Sequence, residues 1–171
     1  MPLAAWFLLP TFQNRIRYIL YDFSFIENNT YLPGSNDGSR LLSLKAGWNI
    51  LQQNPFGVGA GDVKSKAGEW YTANVPQMLE TDKLYPSSEW LIYGAAAGWV
   101  GIILFTHIML LPFFEKIGIE KFFWLSLNSV AVFSLMFDIG LEVQFGVFIY
   151  AFLILWWFKW LRKESDAAIT P

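Results

Sequence analysis

The sequence predicts an all-α integral membrane protein: three full transmembrane helices plus a truncated N-terminal one, with a helical outer loop region. Three observations predict this class. The 171 residues are 54% hydrophobic and 19% aromatic but only 15% charged, where soluble domains carry about a quarter charged residues. Uncharged apolar runs recur through the second half of the chain, and the first, Trp90 to Phe114, exceeds the roughly 20 residues that cross a hydrocarbon core. Alternation at the period of a strand is absent.

Residues 1–10 read as the end of a truncated transmembrane helix. The run Leu3 to Leu9 lacks the basic leader of a secretory signal and breaks at Pro10, so the chain is expected to be the C-terminal part of a longer protein. Residues 11–86 read as an outer helical loop. Within it, Ile16, Ile19, Leu20, Phe23 and Ile26 recur at helical spacing, which predicts an amphipathic helix over Asn14 to Ile26 lying at a membrane interface. Asn28 to Gly38 is loop, and includes the glycosylation sequon Asn28-Asn29-Thr30. Ser39 is the expected N-cap of the next helix, with Leu41, Leu44, Trp48 and Leu51 on one face. Asn54-Pro55 stops that helix, and Gly57, Gly59 and Gly61 form a tight connection that packs on membrane helices. Asp62 is placed to cap a further helix, which Pro76 ends.

Three transmembrane segments follow, over 87–114, 120–138 and 143–161, and then a cytoplasmic tail over 162–171. The last segment ends in Trp156, Trp157, Phe158 and Trp160, an aromatic belt. Lys159, Arg162 and Lys163 in the tail, with Lys116 and Lys121 in the short loop, point to the cytoplasm. The 11–86 region then lies outside, in a periplasm where the cell has two membranes. A formal net charge of −2 gives no basis for nucleic-acid binding. The absence of cysteine excludes disulfides, thiolate metal sites and a cysteine nucleophile, and a single histidine supports no metal site.

Several side chains could carry chemistry. Arg40, expected in the first turn of its helix, joins a guanidinium to free backbone N–H groups and so favours phosphate or pyrophosphate; a snorkelling surface arginine is the alternative. Lys45 supports it or simply contacts headgroups. The glycines of Gly57 to Asp62 follow a helix rather than a strand, so they do not form a dinucleotide or P-loop motif. Gly94 and Gly98, with Ala97 and Gly101, give small-xxx-small spacing for close helix packing. His107 lies far along the first segment, where a neutral imidazole bonded to a neighbouring helix competes with a functional role. Glu89, beside Ser87 and Ser88, is either a helix-terminal carboxylate or a general base toward an acceptor hydroxyl. Asp138 and Glu142 face the same site or solvate their loop.

These elements, in this order, resemble the C-terminal region of the bacterial O-antigen ligase and O-antigen polymerase superfamily. The resemblance rests on GSRLLSLKAGWNIL, NPFGVGAGD, Leu91 with the GWVG of Gly98 to Gly101, and LEVQFG at Leu141 to Gly146, and it covers nearly the whole chain. It implies a multi-spanning enzyme of the bacterial cytoplasmic membrane that needs no cofactor or metal. Such enzymes move a glycan from an undecaprenyl-pyrophosphate carrier to a lipid-core sugar or another glycan. The implied partners are the lipid bilayer, that carrier-linked glycan, its acceptor, and further transmembrane helices not in this chain. The resemblance assigns pyrophosphate binding to Arg40, with Lys45 in support. The position of the family's histidine base is Ser87 here, which leaves Glu89, or a water held by Ser87, to assist the acceptor. A non-catalytic membrane protein associated with envelope polysaccharide assembly is the alternative expectation.

Overall fold

The structure, a computed structural model, describes residues 10–27, 30–114, 121–156 and 159–160. The Met1 to Leu9 run, Asn28 and Asn29 of the sequon, the loop with Lys116, the aromatic pair Trp157 and Phe158, and the tail with Arg162 and Lys163 lie outside the described residues. Every regular element among the described residues is helical. In chain order these are α1 (Pro10–Glu27), α2 (Asn36–Gln53), α3 (Val63–Asn74), a 3₁₀ turn (Glu80–Asp82), α4 (Glu89–Phe114), α5 (Lys121–Phe137) and α6 (Gln144–Val147). The last runs directly into a π-helical segment, Phe148–Ile154. Among the described residues, α4 alone is by length and composition long and apolar enough to cross a membrane.

The backbone of α4 is not straight. Gly98 sits at φ 69° and ψ −155°, a conformation that is essentially restricted to glycine. Contacts across this break pair residues whose numbers fall on either side of it. The Trp90 indole donates to Thr106 Oγ1 at 2.9 Å, Tyr93 stacks on Phe105 with ring centroids 4.6 Å apart, and Gly94 lies against the Ile102 side chain. In a straight helix Trp90 and Thr106 would stand about 24 Å apart along the axis. The apolar stretch is therefore a tight helical hairpin, with a short first arm from Glu89 and a second arm that ends at Phe114. The described part of the second arm is about 16 residues, or ~24 Å. Gly94, Ala97 and Gly101 do provide close packing, but between the two arms of one hairpin: a Cβ on Gly101 would strike the Tyr93 carbonyl.

Helix α2 runs parallel to the first arm. Ser43 pairs with Ser87, Gly47 lies against Pro86 and Leu91, Leu51 approaches Gly94, and Pro55 reaches Gly98. At the end of this seam the Asn54–Gly59 turn closes on the hairpin tip. Val58 N–H donates to Ala95 O at 2.8 Å, Gly59 N–H to Ala96 O at 2.9 Å, and Trp99 N–H to Pro55 O at 3.0 Å. Breaking a helix frees backbone groups that must find partners, and the turn supplies them. Gly57, at φ 84°, has no room for a Cβ against the Ala96 carbonyl.

The seam fixes which face of α2 is buried. Ser39, Leu42, Ser43, Ala46, Gly47, Ile50 and Leu51 are buried, whereas Trp48 is 47% exposed. The expected face of Leu41, Leu44, Trp48 and Leu51 is thus corrected by a rotation: small residues turn inward because α2 must approach the first arm closely. Leu42, Ala46 and Ile50 pack with Val63, Ala67, Tyr71, Val75 and Met78 of the α3 region. Helix α3 ends at Asn74, before Pro76, and Asp62 stands at its N-cap without a capping side-chain bond. The second arm packs on α5 through Phe105, Met109 and Leu135. Its other side, together with α5 and the last segment, exposes Ile103, Leu104, Val130, Phe133, Phe148 and Trp156.

Helix α1 docks on the start of α2 through a buried carboxylate. Asp22 accepts from the Ser35 hydroxyl and from Gly38 N–H at 2.8 Å, and Arg15 pairs with Asp37 at 2.7 Å. Ser35, not Ser39, is the N-cap, with its Oγ accepting from Gly38 N–H. Leu20, Tyr21 and Phe23 of α1 stay exposed, as an interface helix would leave them.

The loop between α1 and α2 is tied to the 3₁₀ turn by Asp82, which accepts from the Tyr31 hydroxyl at 2.9 Å and from Gly34 N–H at 3.1 Å. The Gly34 amide first, then the Tyr31 hydroxyl, hold the Asp82 carboxyl below its usual value. A depressed carboxylate stabilises the fold fully above its unfolded pKa, about 3.9, and the contribution is lost as pH falls from there through the lowered folded value. We expect the Gly34 amide resonance of the detergent-solubilised chain to hold its bonded position down to about pH 4 and to move only below it. Asp82→Asn should remove that acid transition; a transition that survives the substitution assigns it elsewhere.

Candidate functional site

Three of the four residues expected to carry chemistry meet at the base of the α2–hairpin seam, at the end remote from Gly98. Ser87 and Glu89 open the first arm, Arg40 lies on the facing part of α2, and the loop after α5 closes the third side. That loop is positioned by Glu89, whose Oε1 accepts from Leu141 N–H at 2.6 Å. Glu89 is fully buried, and its Oε2 has no hydrogen-bond partner among the described residues. An unsatisfied buried oxygen of this kind is costly and marks a place where structure has been kept for another purpose or another contact.

Ser43 and Ser87 form a small buried relay. Their hydroxyls are 2.8 Å apart, Ser87 N–H donates to Ser43 Oγ at 3.1 Å, and Ser43 donates to the Arg40 carbonyl at 2.7 Å. Because a hydroxyl has one proton, the arrangement that satisfies all three bonds has Ser87 donating to Ser43. Ser87 is thereby bound to α2 and 6% exposed.

Arg40 reaches the same loop, with guanidinium nitrogens 3.5 Å from Phe137 O and 3.4 Å from Asp138 Oδ2. Both side chains of this ion pair are about half exposed, at 49% and 51%. At that length and exposure the pair is weak, so the guanidinium keeps donors free for another anion. Arg40 is the fifth residue of α2, not part of its first turn, and the helix N-terminus is occupied internally by Asp22 and Ser35. The expected union of Arg40 with free terminal N–H groups is corrected accordingly: the protein's own carboxylate fills that place. Lys45 is exposed, forms no ion pair among the described residues, and stands about 140° around the helix from Arg40. It does not join the site.

Tyr85, two residues before Ser87, lines a separate cavity with Lys64, Tyr71, Glu80 and Lys83. Burial, then the Glu142 and Glu89 carboxylates, push the Tyr85 hydroxyl above the usual range. Of the loop carboxylates, Asp138 pairs with Arg40, while Glu142 is exposed. His107 is returned by the hairpin to the height of Trp90, next to Thr106, but it is exposed on the apolar face, away from Glu89. Sequence reasoning missed Ser43 and Asp22. Asp22 had a visible signal, a carboxylate among Ile19, Phe23 and Ile26 on an otherwise apolar stripe; Ser43 had none.

The described residues form an all-helical protein whose broken apolar hairpin is gripped by helix α2 and the turn that follows it. No known protein family, curated protein or solved structure matches the chain.

Proposed function

We propose that this chain is the C-terminal part of a glycosyltransferase of the O-antigen ligase type, embedded in the bacterial cytoplasmic membrane with its site on the outer face. The observation that supports this most is the loop after α5, to which Arg40 reaches through Asp138 and Glu89 through Leu141, with Ser87 two residues before Glu89. An exposed guanidinium with a weak internal partner suits the pyrophosphate of a polyprenyl-linked glycan. In the reaction, an acceptor hydroxyl attacks the anomeric carbon and the bond from that carbon to the pyrophosphate oxygen breaks. The electron pair leaves with the pyrophosphate, whose charge Arg40 offsets, and the acceptor proton passes to the Glu89 carboxylate. The reading calls on no metal or cofactor.

Arg40→Ala should lower glycan transfer in cells by about 10²-fold or more, the scale of a lost transition-state charge contact, while the protein remains in the membrane fraction. Unchanged transfer removes the leaving-group role. A second reading, a non-catalytic partner of envelope polysaccharide assembly, is favoured by the full enclosure of Glu89 and its bond to Leu141, which suit a carboxylate that holds a loop.

A further inference from the structure

A second cavity, of about 450 Å³, opens between the C-terminal half of α2 and α3, and nothing in the proposed transfer step uses it. Its volume lies within the range of small-molecule sites. The lining is rich in carboxamides and has one large aromatic: Asn49, Gln53 and Asn54 on one wall, Trp70 and Asn74 on the other. Asn54 and Asn74 each spend an amide N–H on their own helix, on Ile50 O at 3.0 Å and Trp70 O at 2.9 Å. Their Oδ1 atoms remain as acceptors. The Asn49 and Gln53 amides and the Trp70 indole N–H have no partner among the described residues. Lys66 and Glu69, at the rim, close on each other at 2.7 Å, so the cavity presents no net charge.

We propose that this cleft binds a neutral glycan. Unspent donors and acceptors arrayed around an apolar ring match the ring of hydroxyls and the apolar face of a pyranose, and an internally neutralised rim disfavours phosphate or a cation. The cleft stands about 20 Å along α2 from Arg40. It therefore holds sugars remote from the reacting bond and contributes binding shared by ground and transition states, which moves KM rather than kcat. The assignment to a chain-holding subsite rests on the transferase reading; the binding of sugar does not.

The test is saturation-transfer NMR on the full chain in a phosphocholine detergent, with N,N′-diacetylchitobiose and maltotriose as probes. Transfer to at least one sugar is expected, weakened roughly tenfold by Trp70→Ala and reduced by the exposed-site change Gln53→Ala, which leaves the core untouched. Arg40→Ala should leave it unaltered. No transfer to either sugar, or transfer indifferent to both cleft variants, overturns the proposal. Sugar binding in a protein whose glycan transfer ignores Arg40→Ala keeps the cleft and removes the leaving-group role of Arg40; Arg40-dependent transfer without sugar binding keeps that role and overturns the cleft.

Discussion

Gly98→Ala is expected to destabilise the protein by on the order of 4 kcal/mol or more, the range reserved for a few severe mechanisms. Two of them act together. A non-glycine residue at φ 69° and ψ −155° carries backbone strain of about 1–3 kcal/mol. The added Cβ would also collide with the Pro55 carbonyl. Relieving that collision pushes the turn away, which breaks the Trp99–Pro55, Val58–Ala95 and Gly59–Ala96 bonds, each worth about 0.5–1.5 kcal/mol net. The thermal midpoint and protease resistance of the solubilised chain measure this. Gly101→Ala provides the comparison of sign. In a straight helix that change stabilises by up to ~1 kcal/mol; in the hairpin its Cβ meets the Tyr93 carbonyl, so it must destabilise.

The second large effect belongs to Glu89, and two substitutions separate its roles. Glu89→Ala removes the acceptor for Leu141 N–H and leaves a buried amide unpaired, at about 1–3 kcal/mol. The Asp138–Glu142 loop loosens with it, and Arg40 loses its partner. Glu89→Gln keeps both the volume and the acceptor oxygen, so the fold should hold. A carboxylate that takes the acceptor proton predicts a fall in transfer rate of about 10²–10⁴ for the glutamine variant, the usual worth of general-base assistance, with KM little changed. Retention of rate in Glu89→Gln together with loss in Glu89→Ala assigns Glu89 to loop positioning and supports the non-catalytic reading of this carboxylate.

The local elements were largely legible. The apolar periodicity of α1, the stop at Asn54-Pro55 and the end of α3 before Pro76 are properties of short windows, and the helices follow them. What escaped is tertiary. Two serines four residues apart, Ser35 and Ser39, are both good caps; the choice of Ser35 is made by Asp22, a residue on another helix. The buried face of α2 misleads because large apolar residues normally mark the core, whereas the parallel seam with the first arm needs Ser43, Ala46 and Gly47. The same GxxxG spacing fits helix–helix packing and a break at its second glycine, and only the positive φ of Gly98 distinguishes them. At the site, Arg40, Ser87 and Glu89 were legible as residues. Their meeting depends on the Ser43–Ser87 seam and on the return of the loop after α5, neither of which leaves a periodic trace.

The central claim is that the long apolar segment folds back on itself under the outer turn. The absence of cysteine allows spin labels to be placed cleanly at Tyr93→Cys and His107→Cys, both exposed positions on opposite arms. A hairpin brings the labels close enough for strong dipolar broadening of the continuous-wave EPR spectrum in lipid. A single straight membrane span separates them by about 14 residues, or ~21 Å, and leaves the spectrum equal to the sum of the two single-label spectra, which would contradict the account.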